Sequence, residues 1–433
     1  MAKVLVNETS LNGIAAAIRN KNGESTKYKP SEMAAAITAL SVGGDGGESG
    51  VPNPIVFTGN CNYLFGYNRL TWLLENYANQ MSFEDVSAAE YMFCENTAKV
   101  AIKPIEFSGA CDCYKMFSYS NIILSEDTFN FENVNQRVGD TNYMFDSYDG
   151  DYIPTIKQKD DKYYETSNMY RYTTAKVIGE ASLSPSGLSQ LFNNAKYLRE
   201  CPEIKFLNDR YRTYSSANNG QIFTNCFSLR KVPESVLKKF YNEANSSTSY
   251  LFFNQIFSGC YALDEVIGIS PRTATLTASN AFNGTFNKCS RVKDIIFDTN
   301  NGTPYTANWK GLNLDLTQGV GWHTATDSYM TDYNSGITID KKVVDTTSYN
   351  ALKNDPDWYT NDPLFSRYNH DSAVKTLQSL PDTSSYLASA GGTNTIQFRN
   401  NAGSMTDGGS IGSLTEEEIA VATAKGWTVA YKT

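Results

Sequence analysis

The stretch Ile256–Gly268, IFSGCYALDEVIG, has a near copy upstream at Ile222–Glu234, IFTNCFSLRKVPE. In each line a Phe is followed by Cys three residues later, Leu six later and Val nine later. Phe257, Cys260, Leu263 and Val266 match Phe223, Cys226, Leu229 and Val232. The pattern continues in both directions. TFNKCSRVKDI places Phe286, Cys289, Val292 and Ile295 at the same offsets, and LFNNAKYLREC places Phe192, Ala195, Leu198 and Cys201 there. Looser lines carry Phe65, Phe93, Phe117 and Phe145, and Tyr170 takes the Phe place in MYRYTTAKV. Nine anchors thus run from 65 to 286 at intervals of 22 to 34 residues. Intervals of that size mark a solenoid, in which one repeat forms one coil and stacks on the next.

In such a coil the Phe and aliphatic positions face inward. The position three after the Phe must be small, because the chain turns tightly there. Cys226, Cys260 and Cys289 therefore read as a ladder of buried thiols acting as small hydrophobes. A metal or redox site would need Cys pairs within one repeat and nearby His. The repeat core is expected at Phe192, Phe223, Cys226, Leu229, Phe257, Cys260, Leu263, Phe286, Cys289 and Val292.

Bulk properties agree with an extended fold. A chain of 433 residues is too long for one ordinary core unless the core grows by repetition. Charged residues make up only 19%, while 28 Tyr and 22 Phe supply both core and contact surface. A net charge of −9 without a basic stripe argues against nucleic-acid binding. No apolar run approaches the ~18 residues of a membrane span. The start, MAKVLVNETSLNG, lacks the apolar core of a signal peptide, so synthesis and retention of reduced thiols in a cytoplasm are expected. Cys111 and Cys113 stand too close for a common zinc pair, and His323 and His370 are the only two His. No metal or cofactor is expected.

Three regions follow along the chain. Residues 1–40 read as two short amphipathic helices, with Leu11, Ile14 and Ile18 on the face of the first and Met33 and Ile37 on that of the second. Such helices bury little area alone, so this segment is expected to anchor or oligomerise. Residues 41–54, SVGGDGGESGVPNP, are a Gly-rich linker. Residues 55–320 carry the repeats. Residues 321–433 are loop-rich, with a helix expected at Ser372–Pro381 and a strand at NTIQF. Thr415 and Glu418 form a capping box that opens a helix ended by Gly426, and the strand WTVAY follows. The last elements suit an atypical closing unit for a solenoid.

The repeat lines resemble the leucine-rich repeats of the BspA type, found in bacterial surface proteins and phage-encoded proteins. The head, LNGIAAAIRNKNGESTKYKPSEMAAAI, is similar to the start of tail and fibre proteins from phages of Firmicutes, and LTEEEIAVATAKGWTV is similar to closing segments of repeat proteins in the same phages. The implied fold class is α+β: a small N-terminal helical anchor, a BspA-like leucine-rich-repeat solenoid and a C-terminal α/β cap. The implied function is that of a phage virion protein of tail-fibre or baseplate type. Residues 1–40 would hold it to other virion proteins, as a homotrimer by resemblance, and the repeats would bind a host glycan or surface protein. A structural virion protein such as a head fibre, and a bacterial surface adhesin, are the alternatives.

Chemistry is sparse. No GxSxG, HExxH or phosphate loop occurs, and no Ser-His-Asp set is persuasive, so no enzyme is expected. DTFNFENVNQRVGD and QKDDKYYE could supply paired carboxylates, but solvated loop charge is the plainer reading. Asp146, Asp149 and Asp151 lie close enough to suggest Ca²⁺ without the spacing of a calcium loop. The polar, aromatic loops, as around Tyr211–Gln221, favour adaptable binding contacts.

Overall fold

The structure is a computed structural model that describes residues 55–207, 221–241, 253–269, 275–277, 281–289, 292–317, 337–339, 342–344, 368–399 and 414–432. The anchor positions Leu11, Ile14, Ile18, Met33 and Ile37 lie outside these residues, as do the linker and Tyr211.

The chain winds into a parallel β-solenoid of about eight turns with few helices. Phe65, Phe93, Phe117, Phe145, Tyr170, Phe192, Phe223, Phe257 and Phe286 form one column of rings, with neighbouring centroids 5.0–5.9 Å apart and planes within 14°. All nine are buried. Each offset-stacked pair adds about 0.5–1.5 kcal/mol to the burial of the rings, so the column is a main axis of cohesion.

Short strands flank this column. Before the anchors, Ile55–Asn60, Met81–Ala88, Ile105–Asp112 and Phe129–Asn130 pair in parallel, with Phe57 opposite Phe83 and Ile105 opposite Phe129. Further on, Ile156–Lys157, Ala181–Leu183 and Ile204–Phe206 continue the parallel pairing. After the anchors, Tyr152–Ile153 pairs with Val177–Ile178, and Glu265–Ile269 with Asp294–Phe297.

The buried aliphatic position depends on the coil. Leu198, Leu229, Leu263 and Val292 lie six after their anchors and are fully buried. In earlier coils the buried residue comes one position sooner, at Ala98, Ile122 and Ala175. This one-residue shortening is why the lines of Phe93, Phe117 and Tyr170 match loosely.

The arc around each anchor has one backbone plan. The residues two before and two after every anchor have positive φ, from Tyr63 (60°) and Tyr67 (56°) to Gly284 (62°) and Lys288 (61°). Only two of them are Gly, Gly259 and Gly284. These reversals send alternate N–H groups out of the coil. Phe65 donates to the Met92 carbonyl, Phe93 to Met116, Phe117 to Met144 and Phe145 to Met169, each at 2.8 Å. The intervening N–H groups close turns within the coil, as Cys94 does on Tyr91 and Asn96 on Phe93. Most buried amides of the arc thus find an acceptor without a long strand.

The position three after the anchor is more than a small spacer. Cys226, Cys260 and Cys289 direct their thiols to the carbonyls of Phe192, Phe223 and Phe257 in the preceding coil, at 3.0, 3.0 and 3.1 Å. Asn96 donates its amide to the Phe65 carbonyl in the same way, at 2.7 Å. Tyr148 occupies the equivalent place and donates its hydroxyl to Ile122 at 2.8 Å, so bulk is tolerated there.

Beyond Phe286 the core passes to Trp309, which packs on Phe282, Phe297 and Trp427. Asn313–Asp315 pairs in parallel with Asn394–Arg399, which pairs with Trp427–Lys432. The helix His370–Ser379 lies on the strand Asp294–Phe297, with the Thr376 hydroxyl bonded to the Ile295 carbonyl at 2.8 Å. Thr415 and Glu418 cap the helix Glu416–Ala424 reciprocally.

Candidate binding surface

The left-handed positions project side chains away from the anchor column, and in register. In the column two before the anchor stand Tyr63, Tyr91, Lys115 and Tyr143. Tyr63 stacks on Tyr91 at 4.7 Å, and Tyr114 meets Tyr91 and Tyr143 edge-on at 5.2 and 6.2 Å. The Lys115 ammonium sits 5.8, 5.5 and 5.3 Å from the rings of Tyr91, Tyr114 and Tyr143. Three ring faces around one cation hold the lysine chain in place and orient the rings.

The column two after the anchor holds Tyr67, Glu95, Tyr119, Ser147 and Tyr172. The guanidinium of Arg171 lies 5.0 Å from the Tyr143 ring and 5.2 Å from the Tyr172 ring, and it grips Asp146 through two bonds of 2.9 and 3.2 Å. That carboxylate raises the Arg171 pKa further, chiefly by hydrogen bonding. Asp146 is thereby engaged, and no group of carboxylate, His and Cys side chains suited to a metal ion occurs among the described residues. Burial pushes the hydroxyls of Tyr67 and Tyr91 above the usual phenol range.

From Gln190 onward the same columns change character. Gln190 donates to Gln221, and Gln221 to Gln255, at 3.2 and 3.0 Å. Asn225 donates to Asn194 at 3.3 Å. These amides satisfy one another along the axis, whereas Tyr67, Tyr119 and Tyr172 are 43%, 58% and 49% exposed. Among the described residues, the exposed rings of these columns therefore lie from the Phe65 coil to the Tyr170 coil.

Acidic side chains flank it at Glu90, Asp112, Asp140 and Glu165. The Asp140 carboxyl is raised to about 6, first by burial and then by Asp112, Glu165 and Glu90, against a bond from the Asn142 amide. Asp140 and Glu165 belong to the two acidic stretches singled out in the sequence.

The repeat-core residues Phe192, Phe223, Cys226, Leu229, Phe257, Cys260, Leu263, Phe286, Cys289 and Val292 are all buried. They build the column and form no site. The sequence reading missed the tyrosine surface, although aligning the coils on their anchors puts Tyr two before Phe65, Phe93 and Phe145 and two after Phe65, Phe117 and Tyr170. Comparison with known protein families, curated proteins and solved structures finds no match.

Proposed function

We propose that this protein is a bacteriophage virion component of tail-fibre or baseplate type, and that it binds the bacterial host surface through the aromatic half of its solenoid. The observation that carries the binding reading is the in-register set of exposed rings at Tyr67, Tyr119 and Tyr172, beside Lys115 and Arg171. Exposed tyrosine gives large, rigid contact area at low entropic cost. The phage reading rests on the similarity of both chain ends to phage proteins, and the BspA-type reading on the repeat lines. In this reading residues 1–40 join other virion proteins, the chain acts as a trimer, and the repeats bind rather than catalyse.

The test is adsorption. Purified protein should bind intact cells of a Firmicutes host and compete with adsorption of a phage carrying this protein. Failure to bind any strain that the phage infects would replace host recognition with a structural role within the particle.

A further inference from the structure

The column two after the anchor alternates. Tyr67, Tyr119 and Tyr172 belong to every second coil, and Glu95 and Ser147 to the coils between. The backbone keeps all five in one file. Tyr67 donates to Cys94, Glu95 to Ser118, Tyr119 to Asp146, Ser147 to Arg171 and Tyr172 to Asn193, at 2.6–2.9 Å. Their φ values lie between 53° and 56°, so their side chains leave the backbone in equivalent ways. The file is therefore ring, polar, ring, polar, ring.

The period of this pattern is two coils, roughly 10 Å at the spacing of paired strands. That is the advance of two pyranose rings in an extended, linear glycan, whose successive rings present opposite faces. An extended peptide does not fit the same file. About three of its residues cover two coils, and an odd step turns the side chain to the opposite face.

Resting on the host-binding reading above, we infer that the ligand is a linear polysaccharide of pyranose rings in extended linkage, lying along the solenoid axis. The first, third and fifth sugars stack on Tyr67, Tyr119 and Tyr172. The second and fourth meet the Glu95 carboxylate and the Ser147 hydroxyl, which bond sugar hydroxyls. The footprint ends at five sugars, because Asn194 and Asn225 take over the file and bond each other.

The experiment uses the full chain and three variants, Tyr67→Asn, Tyr119→Asn and Tyr172→Asn. Asn tolerates positive φ, and the coils of Phe192 and Phe223 already carry it at this position, so folding is retained. Tyr163→Asn, 38% exposed and outside the file, is the control. Binding is measured on intact Firmicutes cells, untreated, periodate-oxidised or protease-treated. Size-fractionated oligosaccharides from the same cell walls serve as competitors. Each file variant should weaken binding roughly tenfold, the scale of one aromatic platform contact, and the control should bind like the parent. Protease should leave binding intact, and periodate should abolish it where the sugars carry vicinal diols. Competitor strength should rise with length up to five sugars and then level. Binding that is lost to protease, is not competed by the oligosaccharides, or is unchanged in the three variants overturns the glycan assignment and leaves host binding standing. Absence of binding to any cells overturns host binding, and the glycan assignment with it.

Discussion

Replacing Tyr170 by Phe should make the protein more stable. Tyr170 is the one anchor that is not Phe, and its ring sits in the column 5.8 Å from Phe145 and 5.0 Å from Phe192. It is fully buried, and its hydroxyl has no hydrogen-bond partner among the described residues. Burial, with the Cys201 thiol as a second cause, drives its pKa far above the ordinary phenol value. A buried hydroxyl without a partner costs about 1–3 kcal/mol, while deleting one oxygen leaves only a small void. Tyr170→Phe keeps the ring and both stacks, so a net gain of about 1–2 kcal/mol is expected. A long repeat array need not unfold in one step, which makes a single melting temperature a poor probe. Native-state hydrogen exchange at the Phe145 and Tyr170 amides is better, since these donate to Met169 and Leu191 in the next coils. Their exchange through local opening should slow roughly 5- to 30-fold. Faster exchange by a similar factor would refute the reasoning, because it would mean that the hydroxyl bonds a buried water.

Three further outcomes follow from the same geometry. All eight cysteines are free and buried, and burial raises the Cys226, Cys260 and Cys289 thiols well above the usual range, so a thiol reagent should label none of these three before unfolding; ready labelling of the folded protein would break the coil register. Asp140 binds its proton more tightly in the folded chain, at about 6 against 3.8, so its stability contribution is full below 3.8 and is lost as pH rises through 6. Asp140→Asn should therefore slow local-opening hydrogen exchange of the Cys113 amide, which donates to the Asp140 carbonyl, at pH 7 and have no effect below pH ~4, and a benefit independent of pH would exclude this carboxyl as the cause. Ser147 has a φ of 55°, and Ser147→Gly should stabilise by about 0.5–1 kcal/mol, as relief of left-handed strain exceeds the added freedom of the unfolded chain; a shift of the denaturation midpoint in the opposite direction would show that the strain is negligible.

What could be read from the chain alone was the inward column. Each anchor must be large and apolar to fill the axis of its coil, and this demand repeats whatever the length of the loop between. Phe65, Phe93, Phe117, Phe145, Tyr170, Phe192, Phe223, Phe257 and Phe286 could thus be aligned although their intervals range from 22 to 34 residues. The aliphatic partner was legible at Leu198, Leu229, Leu263 and Val292, and obscure where Ala98, Ile122 and Ala175 come one residue sooner. The left-handed pairs left only a partial trace, because Tyr, Lys, Glu, Ser and Gln hold most of them, and the Gly or Asn that positive φ ordinarily favours stands only at Asn168, Asn194, Asn225, Gly259 and Gly284. The thiol bonds to Phe192, Phe223 and Phe257 were hidden for another reason, since their donors and acceptors are 32 to 37 residues apart. The tyrosine surface belongs to the tertiary structure as well. Tyr63 and Tyr91, or Lys115 and Tyr143, become neighbours only when successive coils stack in register. An inward position is constrained by its own coil, and so it repeats in the sequence. An outward position is not fixed by the packing of its own coil, and its meaning arises from whatever the adjacent coil places beside it.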